Sequence, residues 1–176
     1  MILRPGVILG PGEYVGQLPW WLTRAARGGR MIAPGAADRS IQPIDVRDVA
    51  AFTLDQAVTE AGGAYNCVAP IGRETMSDLL TACVLVTGGD ARLVWAPDKL
   101  LRDHGVQEWT ELPLWRTSPR RLEHRFHSRP GGRARVPAAD TWSWLSGGGA
   151  PVEHPRWAEH GISPEKEAAL LAVLGR

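Results

Sequence analysis

The chain has 176 residues, of which 44% are hydrophobic and 22% are charged, a balance typical of one globular domain with a buried core. Its formal net charge of +1 argues against a uniformly basic nucleic-acid-binding protein and against an acidic tail. Eight tryptophans, 20 glycines and 14 prolines indicate many turns and large aromatic anchors of the kind that line a cleft.

The two cysteines, Cys67 and Cys83, lie in apolar contexts. This pattern predicts buried free thiols rather than a disulfide or a metal pair, and therefore a reducing, cytoplasmic location. His124 and His127 are spaced to share a helical face, but no further ligand lies near them in sequence, so we predict no metal site. No stretch approaches the ~20 apolar residues of a membrane span, and the first residues lack the layout of a signal peptide.

The first predicted element is a strand over residues 1–9 that is interrupted by Pro5-Gly6. A glycine-rich loop follows at 10–16. A helix is predicted to begin near Pro19 and to end at Gly28-Gly29, and a brief strand follows it.

The clearest unit in the sequence spans residues 40–63. A short extended segment from Ile41 to Ile44 leads to Asp45, which is a typical helix cap, and apolar residues at helical spacing continue to Gly62-Gly63. Asp48 falls in the first turn of this helix, so we interpret both carboxylates as capping groups rather than catalytic ones.

The alternation of strands and helices continues along the chain. A strand is predicted at 64–69, a helix at 74–89, a second strand at 91–97 and a short helix at 98–105. Short glycine-rich links join these elements, which is typical of an α/β protein with largely parallel strands.

The character of the sequence changes after residue 116. The arginine-rich stretch 117–136 has few residues to bury and predicts a solvated loop or a disordered insert in preference to a nucleic-acid-binding surface. Residues 137–176 predict a helical tail, whose last helix has Ser163 as its cap and Pro164 at its first position.

Three stretches together resemble the extended short-chain dehydrogenase/reductase (SDR) family of NAD-dependent epimerases/dehydratases, in a reductase-like branch. They are LRPGVILGPG at 3–12, IQPIDVRDVAAF at 41–52 and GGAYNCVAP at 62–70. In the family these pieces occur in this order and at about this spacing. The resemblance covers residues 2–116 and implies that residues 1–116 are the C-terminal portion of a Rossmann-type fold, with its last parallel strands and a small α/β substrate-binding subdomain.

The family's reactive groups have no counterpart in this sequence. There is no glycine-rich phosphate loop after a first strand, and neither Tyr14 nor Tyr65 has a lysine four residues later, since Leu18 and Ala69 stand there. The resemblance therefore implies the substrate-binding, C-terminal portion of an NAD(P)-dependent oxidoreductase or epimerase. We predict no catalytic residue in this chain, NAD or NADP bound in the intact parent protein, and no cofactor bound by this chain alone.

The resemblance also implies positions for the ligands. Pro5, Gly6 and Val7 would face the nicotinamide, whereas a bulged strand that needs a kink explains the same residues without a cofactor. The residues implied for substrate binding are Gly12, Glu13, Tyr14, Trp20, Trp21, Arg39 and Gln42. For Trp20 and Trp21, an arrangement with one ring in the core and one ring half-exposed is weighted equally with substrate contact. For Arg39, a surface position is favoured over substrate contact.

The expected partners are a small-molecule substrate in the intact protein and either a missing N-terminal half or a second copy of the chain. The rival hypothesis is a non-catalytic module that binds a small molecule or a partner through the exposed edge of its first strand. Nucleic-acid binding through the arginine-rich stretch ranks last.

Overall fold

The structure, a computed structural model, describes residues 1–60, 62–118, 136–149 and 159–175. Nearly all of the predicted loop at 117–136 lies outside the described residues, and so do His124 and His127. The strands are β1 (Ile2–Pro5), β2 (Val7–Leu9), β3 (Arg30–Pro34), β4 (Ser40–Ile41), β5 (Pro43–Asp45), β6 (Ala64–Cys67), β7 (Glu74–Thr75) and β8 (Arg92–Ala96). The helices are α1 (Gln17–Ala26), α2 (Val46–Val58), α3 (Met76–Thr87), α4 (Asp98–Asp103), α5 (Ala138–Ser146) and α6 (Pro164–Leu174).

The first strand is divided at Gly6, as its Pro-Gly interruption predicts, and its two parts have different neighbours. β1 pairs with β6 and β2 pairs with β5, both in parallel. A Cβ atom on Gly6 would lie 2.6 Å from Val68 Cγ1 and 3.1 Å from the Gln42 carbonyl oxygen. Glycine is therefore required where the chain passes between the two strand pairs.

A third parallel pair joins β3 to β8, and a short antiparallel pair joins β4 to β7. The predicted α/β class with parallel strands is thus confirmed. The antiparallel pair was not predicted, because residues 74 and 75 read as the start of the following helix. Thr75 instead has an extended backbone and is the N-cap residue of α3. Its side chain accepts the Asp78 N–H and the Asp78 side chain accepts the Thr75 N–H, so the extended segment Glu74–Thr75 can pair with β4.

Side-chain caps begin two further helices where the sequence predicts them. Asp45 accepts a hydrogen bond from the backbone N–H of Arg47 at 2.8 Å, and Ser163 accepts one from Lys166 at 3.2 Å. Both residues satisfy backbone donors that have no partner within their helices.

The hydrophobic core lies between β3, β8 and the helices α1, α3, α5 and α6. Its largest fully buried side chains include Trp21, Trp115, Leu18, Leu22, Met31, Ile32, Leu79 and Leu80. Cys67 and Cys83 are buried free thiols, as predicted. Burial raises the pKa of the Cys83 thiol far above its ordinary value, which makes this group chemically inert.

A buried ion pair fastens the last helix to this core. Arg24 Nε in α1 lies 2.8 Å from Glu167 Oε2 in α6, and both side chains are about nine-tenths buried. Glu167 Oε1 also accepts the Ile32 N–H of β3 at 3.0 Å, and the Arg24 guanidinium donates to the carbonyl oxygens of Gly28 and Arg30. One carboxylate thus joins three elements.

In contrast, α2 has no buried residue. Leu54 and Val58 on this helix are 67% and 84% exposed, and Ile2 on strand β1 is 60% exposed. Apolar side chains are therefore exposed both on β1 and on the outer face of α2. In the described residues no helix is both long and apolar enough to cross a membrane.

We predict that Glu167→Ala lowers the free energy of unfolding by about 3–5 kcal/mol, because it leaves the buried Arg24 charge and the Ile32 N–H without their partner. Urea denaturation followed by circular dichroism measures this loss. The matched control is Asp103→Ala, which breaks the exposed Lys99–Asp103 pair and should leave the free energy of unfolding close to that of the wild type. Equal effects of the two substitutions would contradict the role assigned to the buried pair.

Candidate functional site

A cavity of about 730 Å³ opens beside the point where the first strand divides. Its walls come from β2 and the following loop 10–16, from the segment 39–43, and from the loop that contains Trp109, Leu114 and Arg116. Most of the lining is apolar, with Val7, Leu9, Val15, Ile41, Val46, Val68 and Ile71 among its residues. A largely apolar cavity with a few polar groups is the usual form of a small-molecule site.

Most of the residues predicted for ligand binding line this cavity. They are Gly6, Val7, Gly12, Glu13, Tyr14, Arg39 and Gln42. Pro5 is not among the lining residues and lies at the end of β1, opposite Cys67 of β6.

The two adjacent tryptophans also lie outside the lining. Trp21 is fully buried and its indole N–H donates to the carbonyl oxygen of Pro113 at 2.9 Å. Trp20 is half-buried, and its ring meets that of Trp21 edge to face with 4.6 Å between the centroids. The pair thus has the arrangement of one core ring and one partly exposed ring.

The loop 10–16 turns through Gly12, whose φ of 75° is in the left-handed region that favours glycine. Immediately after this turn, Glu13 is 9% exposed. Its carboxylate accepts the backbone N–H groups of Gln17 at 2.6 Å and Leu18 at 3.2 Å, at the first turn of α1. Glu13 therefore caps α1 from a position that also lines the cavity.

Burial has the largest effect on the pKa of Glu13. It raises the pKa of the carboxyl group from its ordinary 4.5 to about 7, although the two backbone N–H groups partly offset the change by stabilising the charged form. Near neutral pH the cavity wall consequently carries a carboxyl group that gains and loses its proton readily.

Arg39 lines the cavity, and its positive charge is paired with the Asp98 carboxylate. Its guanidinium donates to the Asp98 carboxylate and to the Arg116 carbonyl oxygen, the latter at 2.7 Å, and only 16% of its side chain is exposed. The Trp115 indole N–H also donates to Asp98 at 2.8 Å. Burial disfavours the charged form of Asp98, but these hydrogen bonds and the Arg39 charge outweigh it and lower the pKa. Arg39 is a partly buried structural arginine at the site, rather than a surface residue.

Gln42 has a similar supporting contact. Its amide N–H donates to the Ala69 carbonyl oxygen at 3.0 Å, which joins the segment before β5 to the end of β6. Ser40 accepts the Gly72 N–H at 2.9 Å nearby. These bonds hold one wall of the cavity against the segment that follows β6.

The remaining wall was missed by the sequence analysis. Trp109 and Leu114 have φ values of 69° and 66°, which are strained for large side chains, and both residues line the cavity. The Arg116 guanidinium lies 4.4 Å from the centroid of the Trp109 ring. The available signal was the cluster of tryptophans in this segment, which the composition had already associated with a cleft.

No group of three or more potential metal-binding side chains occurs among the residues that the structure describes. The chemistry available here is therefore that of a shaped apolar cavity with carboxyl, amide, hydroxyl and guanidinium groups on its wall.

We predict that the pKa of Glu13 makes stability pH-dependent. The folded protein holds this proton more tightly than the unfolded chain, so the stabilisation is complete below about pH 4.5 and is lost as the pH rises through about 7. Relative to Glu13→Gln, the wild-type free energy of unfolding should fall by about 3 kcal/mol between pH 4 and pH 8. Urea denaturation at several pH values measures this. Glu165→Gln, at an exposed position on α6, is the control and should show no such difference.

No protein-family model matches the chain, and no curated protein matches its sequence. Among solved structures, a GDP-L-fucose synthetase from Naegleria fowleri bound to NADP is similar, with a TM-score of 0.55 at 11% identity over 85% of this chain and 46% of that protein. The Bordetella bronchiseptica enzyme WbmF in complex with NAD+ is also similar, with a TM-score of 0.52 at 19% identity over 82% of this chain and 44% of that protein.

The chain spans less than half the length of these two proteins. Their likeness agrees with the resemblance seen in the three sequence stretches, and it rests on backbone geometry rather than on sequence identity. The chain has a Rossmann-like α/β fold that is similar to part of the fold of these two enzymes.

Proposed function

We propose that this chain is the substrate-binding, C-terminal portion of an NAD(P)-dependent oxidoreductase or epimerase/dehydratase-like protein. The observation that carries the proposal is the cavity, because seven residues that the family resemblance implies for cofactor or substrate contact line one space. They come from two stretches of the chain, 6–14 and 39–42, that lie 25 residues apart in sequence, so the meeting of these stretches is a property of the fold. The similar structures of NADP- and NAD-bound enzymes support the class of cofactor.

In the intact protein the nicotinamide ring of NAD or NADP would lie against Gly6 and Val7. The cofactor would supply hydride transfer to or from a carbonyl or alcohol carbon of the substrate. This chain supplies one wall for that ring and has no glycine-rich loop to hold the pyrophosphate. The space above Gly6 is also filled by Val68 and the Gln42 carbonyl, so Gly6 has a packing role besides any contact with a cofactor.

We accordingly expect the chain alone to bind neither NADH nor NADPH, because the contacts to most of the dinucleotide are missing. Isothermal titration calorimetry of either nucleotide into the chain should give only heats of dilution, and reductase assays should give no turnover. Saturable binding in the micromolar range would show that the chain holds a dinucleotide by itself.

The cavity itself is testable with small aromatic probes. We expect saturation-transfer NMR to detect toluene and phenol bound to the chain, and we expect Ile71→Trp to weaken both signals, because Ile71 lines the cavity at an exposed position where a larger ring narrows the opening. Leu85→Trp places the same ring at a position on α3 that is 74% exposed and outside the cavity lining, so it should leave both signals unchanged. Loss of binding in both variants, or in neither, would count against a ligand site in this cavity.

A second function has its own support in the surface that carries the exposed apolar side chains of β1 and of the outer face of α2. In the described part of the chain, β1 pairs with β6 alone, so its other edge retains unpaired backbone groups. We propose that this surface packs against the dinucleotide-binding half of the fold, with a strand of that half added in parallel to β1. The length of the similar enzymes supports this partner. Without it, a second copy of the chain is expected to cover the same surface.

Sedimentation equilibrium tests this surface on the chain alone. We expect concentration-dependent self-association that is weakened by Ile2→Lys combined with Leu54→Lys, since two charges are then placed in the covered area. Leu85→Lys, a substitution of an equally exposed leucine elsewhere, should leave association unchanged. A wild-type chain that stays monomeric at high concentration would contradict the proposal.

A further inference from the structure

One buried amide at the cavity has no partner of its own. Gln17, the first residue of α1, is 3% exposed and is one of the lining residues. Its backbone N–H donates to Glu13 Oε1, but in the described part of the chain its side-chain amide makes no hydrogen bond. The amide is not among the fully inaccessible polar atoms that lack a partner, so it opens onto the cavity, where a ligand can reach it.

Other polar side chains on the wall are already engaged. The Gln42 amide donates to the Ala69 carbonyl oxygen, the Ser40 hydroxyl accepts the Gly72 N–H, and the Arg39 guanidinium is held by Asp98. These groups shape the cavity. The Gln17 amide differs from them in keeping both its donor and its acceptor free for a ligand.

The surroundings of Gln17 restrict the chemistry of that ligand. An amide matches a group that both donates and accepts hydrogen bonds, as a hydroxyl does. Glu13 Oε1 lies 2.6 Å from the Gln17 backbone nitrogen, so above about pH 7, where Glu13 is ionised, a carboxylate or phosphate of the ligand would be repelled there in a largely apolar space. A purely apolar group would leave the amide unsatisfied.

We propose that Gln17 is a specificity-determining residue that selects a neutral hydroxyl group of the ligand at this position. The inference rests on the proposed function of the cavity and adds the class of group that is recognised. Gln17 discriminates against an apolar group of the same shape and against an anionic one.

Three probes that share a phenyl ring separate these cases, with toluene as the isostere of phenol and benzoate as the anion. Ligand-observed NMR titrations of the whole chain should show phenol bound about ten-fold more tightly than toluene, and benzoate more weakly than phenol. In Gln17→Leu the phenol affinity should fall about ten-fold and the toluene affinity should stay within about two-fold. The melting temperature should not fall, because the Gln17 side chain makes no hydrogen bond in the described part of the chain that the substitution would break.

Gln56→Leu is the matched control, since Gln56 is half-buried on α2 and outside the cavity lining. It should leave the preference for phenol intact. Gln17→Met repeats the test with an unbranched apolar side chain of similar length.

Two results would overturn the inference about Gln17: equal binding of phenol and toluene by the wild type, or a preference for phenol that persists in both Gln17 variants. In either case the cavity would still be a ligand site. A large loss of stability in both variants would also overturn the inference, by showing that the amide has a structural role. If none of the three probes binds, the proposed function of the cavity fails, and the inference fails with it.

Discussion

The close packing at Gly6 is the constraint on which the arrangement of this site depends. Because no Cβ fits between Gly6 and Val68, only glycine lets the first strand leave β6 and continue beside β5. The cavity opens where the two strand pairs diverge, and Val7 and Leu9 of β2 form part of its wall. Ligands of α/β folds commonly bind where neighbouring strands part in this way. The interruption of the first strand at Gly6 therefore creates the space that a ligand could occupy.

The contacts that maintain the fold are separate from those that remain available to a ligand. The Arg24–Glu167 pair and the core beneath it hold α1, β3 and α6 together away from the cavity lining. At the cavity, Arg39 is neutralised by Asp98, and the carboxyl group of Glu13 is shared with the first turn of α1. The strained backbone of Trp109 and Leu114 is also confined to the cavity wall. The strained backbone at Trp109 and Leu114 thus lies on a surface that a ligand in the cavity would contact.

Local signals in the sequence predicted the elements of this fold well. Asp45 and Ser163 begin their helices by accepting a backbone N–H that lies two or three residues further along the chain, so the signal is local in sequence. The end of α1 just before Gly28-Gly29 is also a local signal, because glycine commonly follows the last residue of a helix. The motifs at 3–12 and 41–52 likewise contain half of the residues that line the cavity.

Residues whose roles depend on distant partners could not be predicted in this way. Trp20 and Trp21 are adjacent in sequence, yet their exposure is decided by Pro113 and by packing between helices. Gln17 reads simply as the first residue of a helix, and its position at the cavity follows from Glu13 taking over the cap. The antiparallel pairing of β4 with β7 involves two residues on each side, which is too short a pattern to detect.

The exposed surface and the cavity are physically linked through Gly6. β1 carries the unpaired edge, Gly6 follows it directly, and Val7 already belongs to the cavity wall. A strand added alongside β1 would therefore end next to the wall implied for the nicotinamide ring. Pairing at this edge would also order the β1 backbone, in which three of four residues are exposed, and so fix the position of Gly6 relative to Val68. On the proposed function, docking of a dinucleotide-binding half would complete the cofactor site and stabilise the cavity in the same step, because the described residues leave the outer edge of β1 uncovered directly beside the cavity wall.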